Sequence, residues 1–177
     1  MADAASPAHL YRIMISRLTS FARRAALPTA FALASCSANK APTAAGLQAG
    51  TVTINGSTVN VTIAATNAAR DSGLMRVTNL GANSGMLFVF LFDQQRAFWM
   101  KDTPTPLSIV FLDANKKIVF MADMAPNDSI LRYGGFNAPL MRYALEVNVG
   151  WFAAHGITTG MTASFTLPTG LVIEPDS

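Results

Sequence analysis

The chain of 177 residues contains one cysteine, Cys36, and two histidines, of which only His155 lies beyond residue 36. A single cysteine excludes an intrachain disulfide, so the fold must hold by its core alone, even in an oxidising compartment. One histidine beside one cysteine excludes the usual zinc constellations and argues against Ser-His-Asp or Cys-His catalysis. His155 sits near the end of an expected short helix, where a cationic cap is its default task. No cofactor motif is present, and no uncharged apolar run reaches the roughly 20 residues that span a bilayer as a helix. Charge is scarce and uneven: residues 1–35 carry four Arg and one Asp, whereas residues 36–177 carry nine basic and nine acidic side chains. The basic balance thus belongs to the N-terminal segment, and the positive face expected of a nucleic-acid binder is missing from the rest.

Residues 1–35 read as an export signal. Arg12, Arg17, Arg23 and Arg24 precede the small and apolar run Ala25–Leu33, the order of a secretory signal. The run ends in Leu33-Ala34-Ser35-Cys36, which resembles the bacterial lipoprotein processing site, with Cys36 as the lipidated first residue of the mature chain. The plainer alternative for Cys36 is a small apolar residue in a signal cleaved without lipid. Met14 offers a second start codon with a more ordinary signal length. Residues 36–50, rich in Ala, Ser, Thr and Gly, read as a flexible tether. The expected product is exported and lipid-anchored on the periplasmic face of the envelope, with the membrane as one partner.

Residues 51–174 read as one domain, long enough for a real core. Val52 and Ile54 alternate with threonines, Asn55-Gly56 is a two-residue hairpin turn, and Val59, Val61 and Ile63 alternate on the return. Gly85–Leu91 is a continuous apolar run of strand length, as for a strand buried on both faces. Strands are expected over Ala97–Lys101, Leu107–Leu112, Ile118–Met121, Tyr143–Val147 and Met161–Leu167, with residues 124–139 as a long exposed loop. Two short helices are expected, Ala68–Ser72 capped by Asn67 and Val149–His155 capped by Asn148, ended by Gly73 and Gly156. The class is mainly β, a single jelly-roll or barrel-like domain with two short helices. The seven methionines from Met75 onward read as core packing rather than as thioether ligands for Cu(I).

Five separated motifs fix a resemblance: Gly73-Leu74-Met75-Arg76, Gly85–Phe90, Phe98-Trp99-Met100-Lys101-Asp102-Thr103, Pro106-Leu107, and Leu145-Glu146-Val147 followed by Gly150. In order and spacing they resemble the domain-of-unknown-function family 192, over about residues 51–167. The resemblance implies a single mainly-β domain and no particular activity. This chain departs from the family's usual pattern at Asp102, where Asn is usual, and at Ser108, where Pro-Leu is usually followed by Asp.

Strand alternation through residues 97–103 puts Trp99, Lys101 and Thr103 on one face and Phe98, Met100 and Asp102 on the other. An indole beside an ammonium suits a sugar or an anionic group. On the strand Tyr143–Val147, Glu146 faces away from Tyr143, Leu145 and Val147. It pairs with Lys101 if the two strands are neighbours, the plain outcome being a structural ion pair. Arg76 is a third polar group for the same surface. Arg76, Trp99, Lys101, Thr103 and Glu146 are therefore the candidate ligand-binding residues, with no metal and no cofactor. The function they suggest is a binding or accessory module of the cell envelope for a small molecule, glycan or protein partner. The alternative is an enzyme acting on envelope polymers with Glu146 or Asp102 as acid or base, which requires two carboxylates in one cleft. A purely structural accessory is the third reading and requires an exposed apolar patch without a pocket.

Overall fold

The structure, a computed structural model, describes residues 47–176. The expected export signal, Cys36 and most of the tether lie outside the described residues. β1 (Gln48–Ile54) already takes in Gln48–Gly50, which the sequence alone assigns to the tether. It turns through Asn55 and Gly56, both at positive φ (49° and 74°), into β2 (Ser57–Ala64). Those angles are what a hairpin turn matched to strand twist demands. Val52, Ile54, Val59, Val61 and Ile63 are all buried, as their alternation predicts.

A parallel neighbour needs a crossover, and here it carries α1 (Asn67–Ser72). Thr66, not Asn67, caps the helix, accepting from the Ala69 N–H at 3.2 Å. Gly73 ends it at φ 46° as expected. β3 (Ser84–Gln94) then runs parallel to β2 and antiparallel to β8 (Met141–Asn148). β5 (Leu107–Leu112) lies on the other side of β8 and pairs with β6 (Ile118–Met124). The resulting six-stranded mixed sheet has the order β1-β2-β3-β8-β5-β6. A separate ribbon joins β4 (Ala97–Phe98) to β7 (Tyr133–Gly134), so the expected loop 124–139 contains a short strand. Ile130 and Phe136 beside it are 88% and 96% exposed.

The domain is mainly β with two short helices, as expected, and the sheet is not closed as a barrel. Its two edges nevertheless meet one segment. Thr53 and Ser164 exchange N–H···O bonds of 2.9 and 2.8 Å, while the Ile118 N–H donates to Met161 and the Ala163 N–H to Lys116. Residues 161–167, expected as a full strand, therefore make only isolated bridges. Their facing is right all the same: Met161, Ala163, Phe165 and Leu167 pack on the first core, with Val52, Val61, Leu145, Val147 and Trp151. A second core lies on the opposite face of the sheet, around Phe88, Met100, Ile109, Phe111 and Ala144.

The second helix, α2 (Trp151–Ala154), is shorter than expected. Asn148 is the last residue of β8 and spends its amide on the carbonyls of Leu80 and Gly81, so Gly150, at φ 78°, stands at the helix start instead. The strand expected over Ala97–Lys101 also stops early, after Phe98. The Met100 N–H donates to Asp128, the Thr103 N–H turns back to Met100, and Asp102 takes φ 53°. A turn replaces the pleat, so Trp99, Lys101 and Thr103 do not share a strand face. Met100 is fully buried, as expected, but Thr103 is only 4% exposed while Trp99 is 40% exposed.

Candidate functional site

β8 is a central strand, and its alternation decides where Glu146 goes. Tyr143, Leu145 and Val147 face the first core. Glu146 points to the other side, where its paired neighbours are Met86 on β3 and Ile109 on β5. Both are apolar and buried. A carboxyl set between them is taken out of water, which disfavours its charged form. Glu146 is 4% exposed, and burial alone pushes its pKa from an ordinary 4.5 up to about 8.

Among the described residues this carboxyl takes part in no ion pair and no side-chain hydrogen bond, and its oxygens are not sealed from solvent, since no fully buried side-chain oxygen lacks a partner. The expected pair with Lys101 does not form. Lys101 is exposed on the turn and holds its ammonium 5.4 Å from the centroid of the Trp99 ring. Arg132 approaches the same ring at 4.5 Å. The indole and ammonium are thus neighbours, through a turn rather than through strand alternation.

Glu146 opens instead onto a cavity of about 40 Å³, lined also by Phe88, Phe98, Trp99, Thr103 and Asp71. A water needs roughly 10–15 Å³ of such space, so the cavity holds a small polar group of a ligand or a few waters. Phe98 makes its wall rigid, standing edge-on to Phe88 at 5.1 Å and tilted against Phe111 at 5.4 Å. The Thr103 hydroxyl donates to the Lys101 carbonyl at 3.1 Å, which fixes the turn that carries Trp99.

A wider cleft of about 400 Å³ adjoins this cavity and shares Arg70, Asp71, Phe88, Phe98 and Trp99 with it. Asn67, Phe90, Arg96, Ala97 and Asp176 complete its lining. Of the residues singled out in the sequence, Trp99, Thr103 and Glu146 meet at the cavity. Lys101 reaches it only through the indole. Arg76, exposed at φ 63°, gives its N–H to the Asp102 carbonyl at 2.7 Å and lines neither space. Asp102 is likewise absent from both linings.

Sequence reasoning missed Arg70, Asp71, Arg96 and Phe90 as site residues. Arg70 and Asp71 come to the cleft on α1, Phe90 on β3 and Arg96 from the turn between β3 and β4, and no motif spacing announces that they meet. Met121 and Met124 stand in a Met-x-x-Met spacing on β6, but they pack against opposite cores and cannot ligate one ion. Ser108, where the family pattern has Asp, donates to Asp123 and accepts from the Gly150 N–H at 2.9 Å, which ties β5 to the turn after β8.

No curated protein matches the chain. Solved structures share its fold, among them two from bacteria. One is a Sinorhizobium meliloti 1021 protein whose description proposes a transcription regulator, 24% identical, with a TM-score of 0.63 over 67% of this chain and 95% of that one. The other is a protein of unknown function from Novosphingobium aromaticivorans DSM 12444, 29% identical, with a TM-score of 0.57 over 67% of this chain and 84% of that one. The model of the family DUF192, described as an uncharacterised ACR, matches residues 50–165. The chain therefore belongs to the DUF192 family.

Proposed function

We propose that the domain is a binding module of the cell envelope for a small or sugar-sized ligand, whose body lies in the adjoining cleft against Trp99 and Phe98 and whose polar group enters the Glu146 cavity. The observation that carries this reading is the Glu146 carboxyl, 4% exposed, facing a cavity and without an ion-pair or side-chain hydrogen-bond partner among the described residues. Taking a carboxyl largely out of water disfavours its charged form, and a strongly shifted carboxyl in a cleft marks a functional candidate. Neutral at physiological pH, it offers a hydroxyl donor and an acceptor to a ligand.

The test is a nuclear magnetic resonance titration with a panel of monosaccharides and small aromatic alcohols. Binding is expected to move the Trp99 indole signal and to be lost in Trp99→Ala and weakened about tenfold in Glu146→Leu, as expected for one lost hydrogen bond in a desolvated site. A panel that leaves Trp99 unmoved contradicts the reading.

The envelope location rests on the export signal and the Leu33-Ala34-Ser35-Cys36 site. One lipid chain gives only marginal anchoring, so the expected modification carries more than one. Intact-mass analysis of the membrane fraction is expected to find a chain starting at a lipidated Cys36. An unmodified soluble form starting elsewhere would rule out the anchor.

One observation favours the enzymatic alternative. Asp71 and Glu146 line the same cavity, so two carboxyls share a site as general acid and base chemistry requires. The pair differs from the Glu146 and Asp102 expected from the sequence. Release of fragments from isolated envelope polymers by the full chain, and its loss in Glu146→Gln, would favour catalysis over binding.

A further inference from the structure

The wide cleft beside the Glu146 cavity presents two guanidiniums that are almost out of water. The side chains of Arg70 and Arg96 are 7% and 10% exposed. Arg96 is held before any ligand arrives. Its Nη1 donates to the Met141 carbonyl at 3.0 Å, its Nη2 to the Phe92 carbonyl at 3.1 Å, and its guanidinium carbon stands 3.9 Å from the centre of the Phe90 ring. Arg70 is fixed in the same way by the carbonyls of Ala65 and Val89, at 2.8 and 3.1 Å.

What these two cations share is the carboxylate of Asp176. Arg96 reaches one of its oxygens from Nη2 at 2.6 Å and from Nε at 3.1 Å, and Arg70 lies 3.5 Å from the other. A preorganised planar fork matches the geometry of carboxylates and phosphates, and it is less easily satisfied by water. Asp176 itself is a partly exposed occupant, its side chain 34% exposed. Asp71 lines the cleft but makes no ion pair there among the described residues. Among the described residues the two arginines thus share one negative side-chain partner.

We propose that this cleft is an oxyanion site for a ring-bearing organic anion, and that Asp176 occupies the anion position until such a ligand displaces it. The inference rests on the reading of the adjoining cavity as a ligand site, and it names the ligand's class. The carboxylate or phosphate sits on the Nε–Nη2 edge of Arg96 with the Arg70 charge beside it, since the Arg70 donors are already taken by Ala65, Val89, Asn67 and Glu174. The flat or sugar-sized body lies along Phe90, Phe98 and Trp99, and a polar group at its far end reaches Glu146. At about 400 Å³ the cleft is within the size of small-molecule sites, roughly 300–1,000 Å³. Phe98 and Trp99 line both spaces, so one ligand can touch both ends.

The test titrates benzoate, phenyl phosphate and neutral benzyl alcohol against the full chain, reading tryptophan fluorescence with Trp99→Phe assigning the signal. Asp176→Asn keeps the side chain's size and removes the competing charge. If Asp176 fills the site about nine-tenths of the time, its removal tightens the anionic probes about tenfold and leaves benzyl alcohol unchanged. Whichever anionic probe gains more identifies carboxylate or phosphate as the natural group. Arg96→Gln is expected to erase the preference for benzoate over benzyl alcohol. Since that change also loses bonds to Met141 and Phe92, the Asp176 variant is the deciding one.

Anionic probes that bind no tighter in Asp176→Asn, or no tighter than benzyl alcohol, overturn the oxyanion site. In that event, benzyl alcohol binding that still needs Trp99 leaves the cavity reading standing. Loss of all three probes from both proteins overturns the two together.

Discussion

Glu146→Gln is expected to stabilise the domain by about 3 kcal/mol at pH 7 and to leave it nearly unchanged at pH 4. Burial raises the folded-state pKa of Glu146 from 4.5 to about 8. Below pH 4.5 the carboxyl is protonated in both the folded and the unfolded chain, and its contribution is fully present. Between pH 4.5 and 8 the unfolded chain ionises and the folded one does not, so stability falls by roughly 1.4 kcal/mol per pH unit. Above the folded pKa the loss levels off. Glutamine has nothing to ionise, so its curve lacks this slope. For a domain of this size the gain at pH 7 corresponds to a rise in Tm of roughly 10 °C. Urea unfolding of both proteins from pH 4 to pH 8.5 checks it, and parallel curves would contradict it. A side chain that makes the native state less stable across the physiological range is a cost that core packing has no reason to keep, whereas a binding site does.

Gly85→Ala is expected to destabilise the domain by about 3 kcal/mol or more, for a reason that lies in the same strand pair. Gly85 on β3 is paired with Val147 on β8. A Cβ at Gly85 would stand 2.3 Å from the Glu146 carbonyl oxygen and 3.0 Å from a Val147 methyl. The first obstacle is backbone of the partner strand, so relief requires β3 and β8 to separate where Glu146 is set. Gly50→Ala is the control: its new methyl meets the end of the Ile63 side chain at 3.2 Å, which can rotate away, and the expected cost is below about 1 kcal/mol. Thermal unfolding of both variants separates the two cases, and equal losses would show that the tight β3-β8 approach is not what selects glycine at position 85.

Local periodicity carried the parts of this fold that depend on local chemistry. Asn55-Gly56 supplies the positive φ its hairpin needs, Gly73 ends α1, and the alternation of Tyr143, Leu145 and Val147 turns Glu146 to the opposite face. What alternation cannot say is which strands flank Glu146. The neighbours are Met86 and Ile109 rather than Lys101, and that choice, made by the order of the sheet, converts an expected ion pair into an unpaired acid. Alternation also fails at Trp99–Thr103, where the Asp128 carbonyl captures the Met100 N–H and a turn begins. Arg70 and Arg96 were illegible for a third reason. Their partners are main-chain carbonyls, and Asp176 is 106 and 80 residues away from them in sequence, so nothing in the sequence marks the contact.

The measurement that bears most directly on the proposed site is a carbon-13 titration of the Glu146 carboxyl in the folded, full-length chain. A neutral, unpaired acid facing the cavity is expected to titrate near pH 8. It should also be the one carboxyl signal lost in Glu146→Gln without displacement of the others. Titration of that signal near pH 4.5 would mean that water or a cation already serves the carboxyl, and it would contradict both the proposed site and the stability predicted from it.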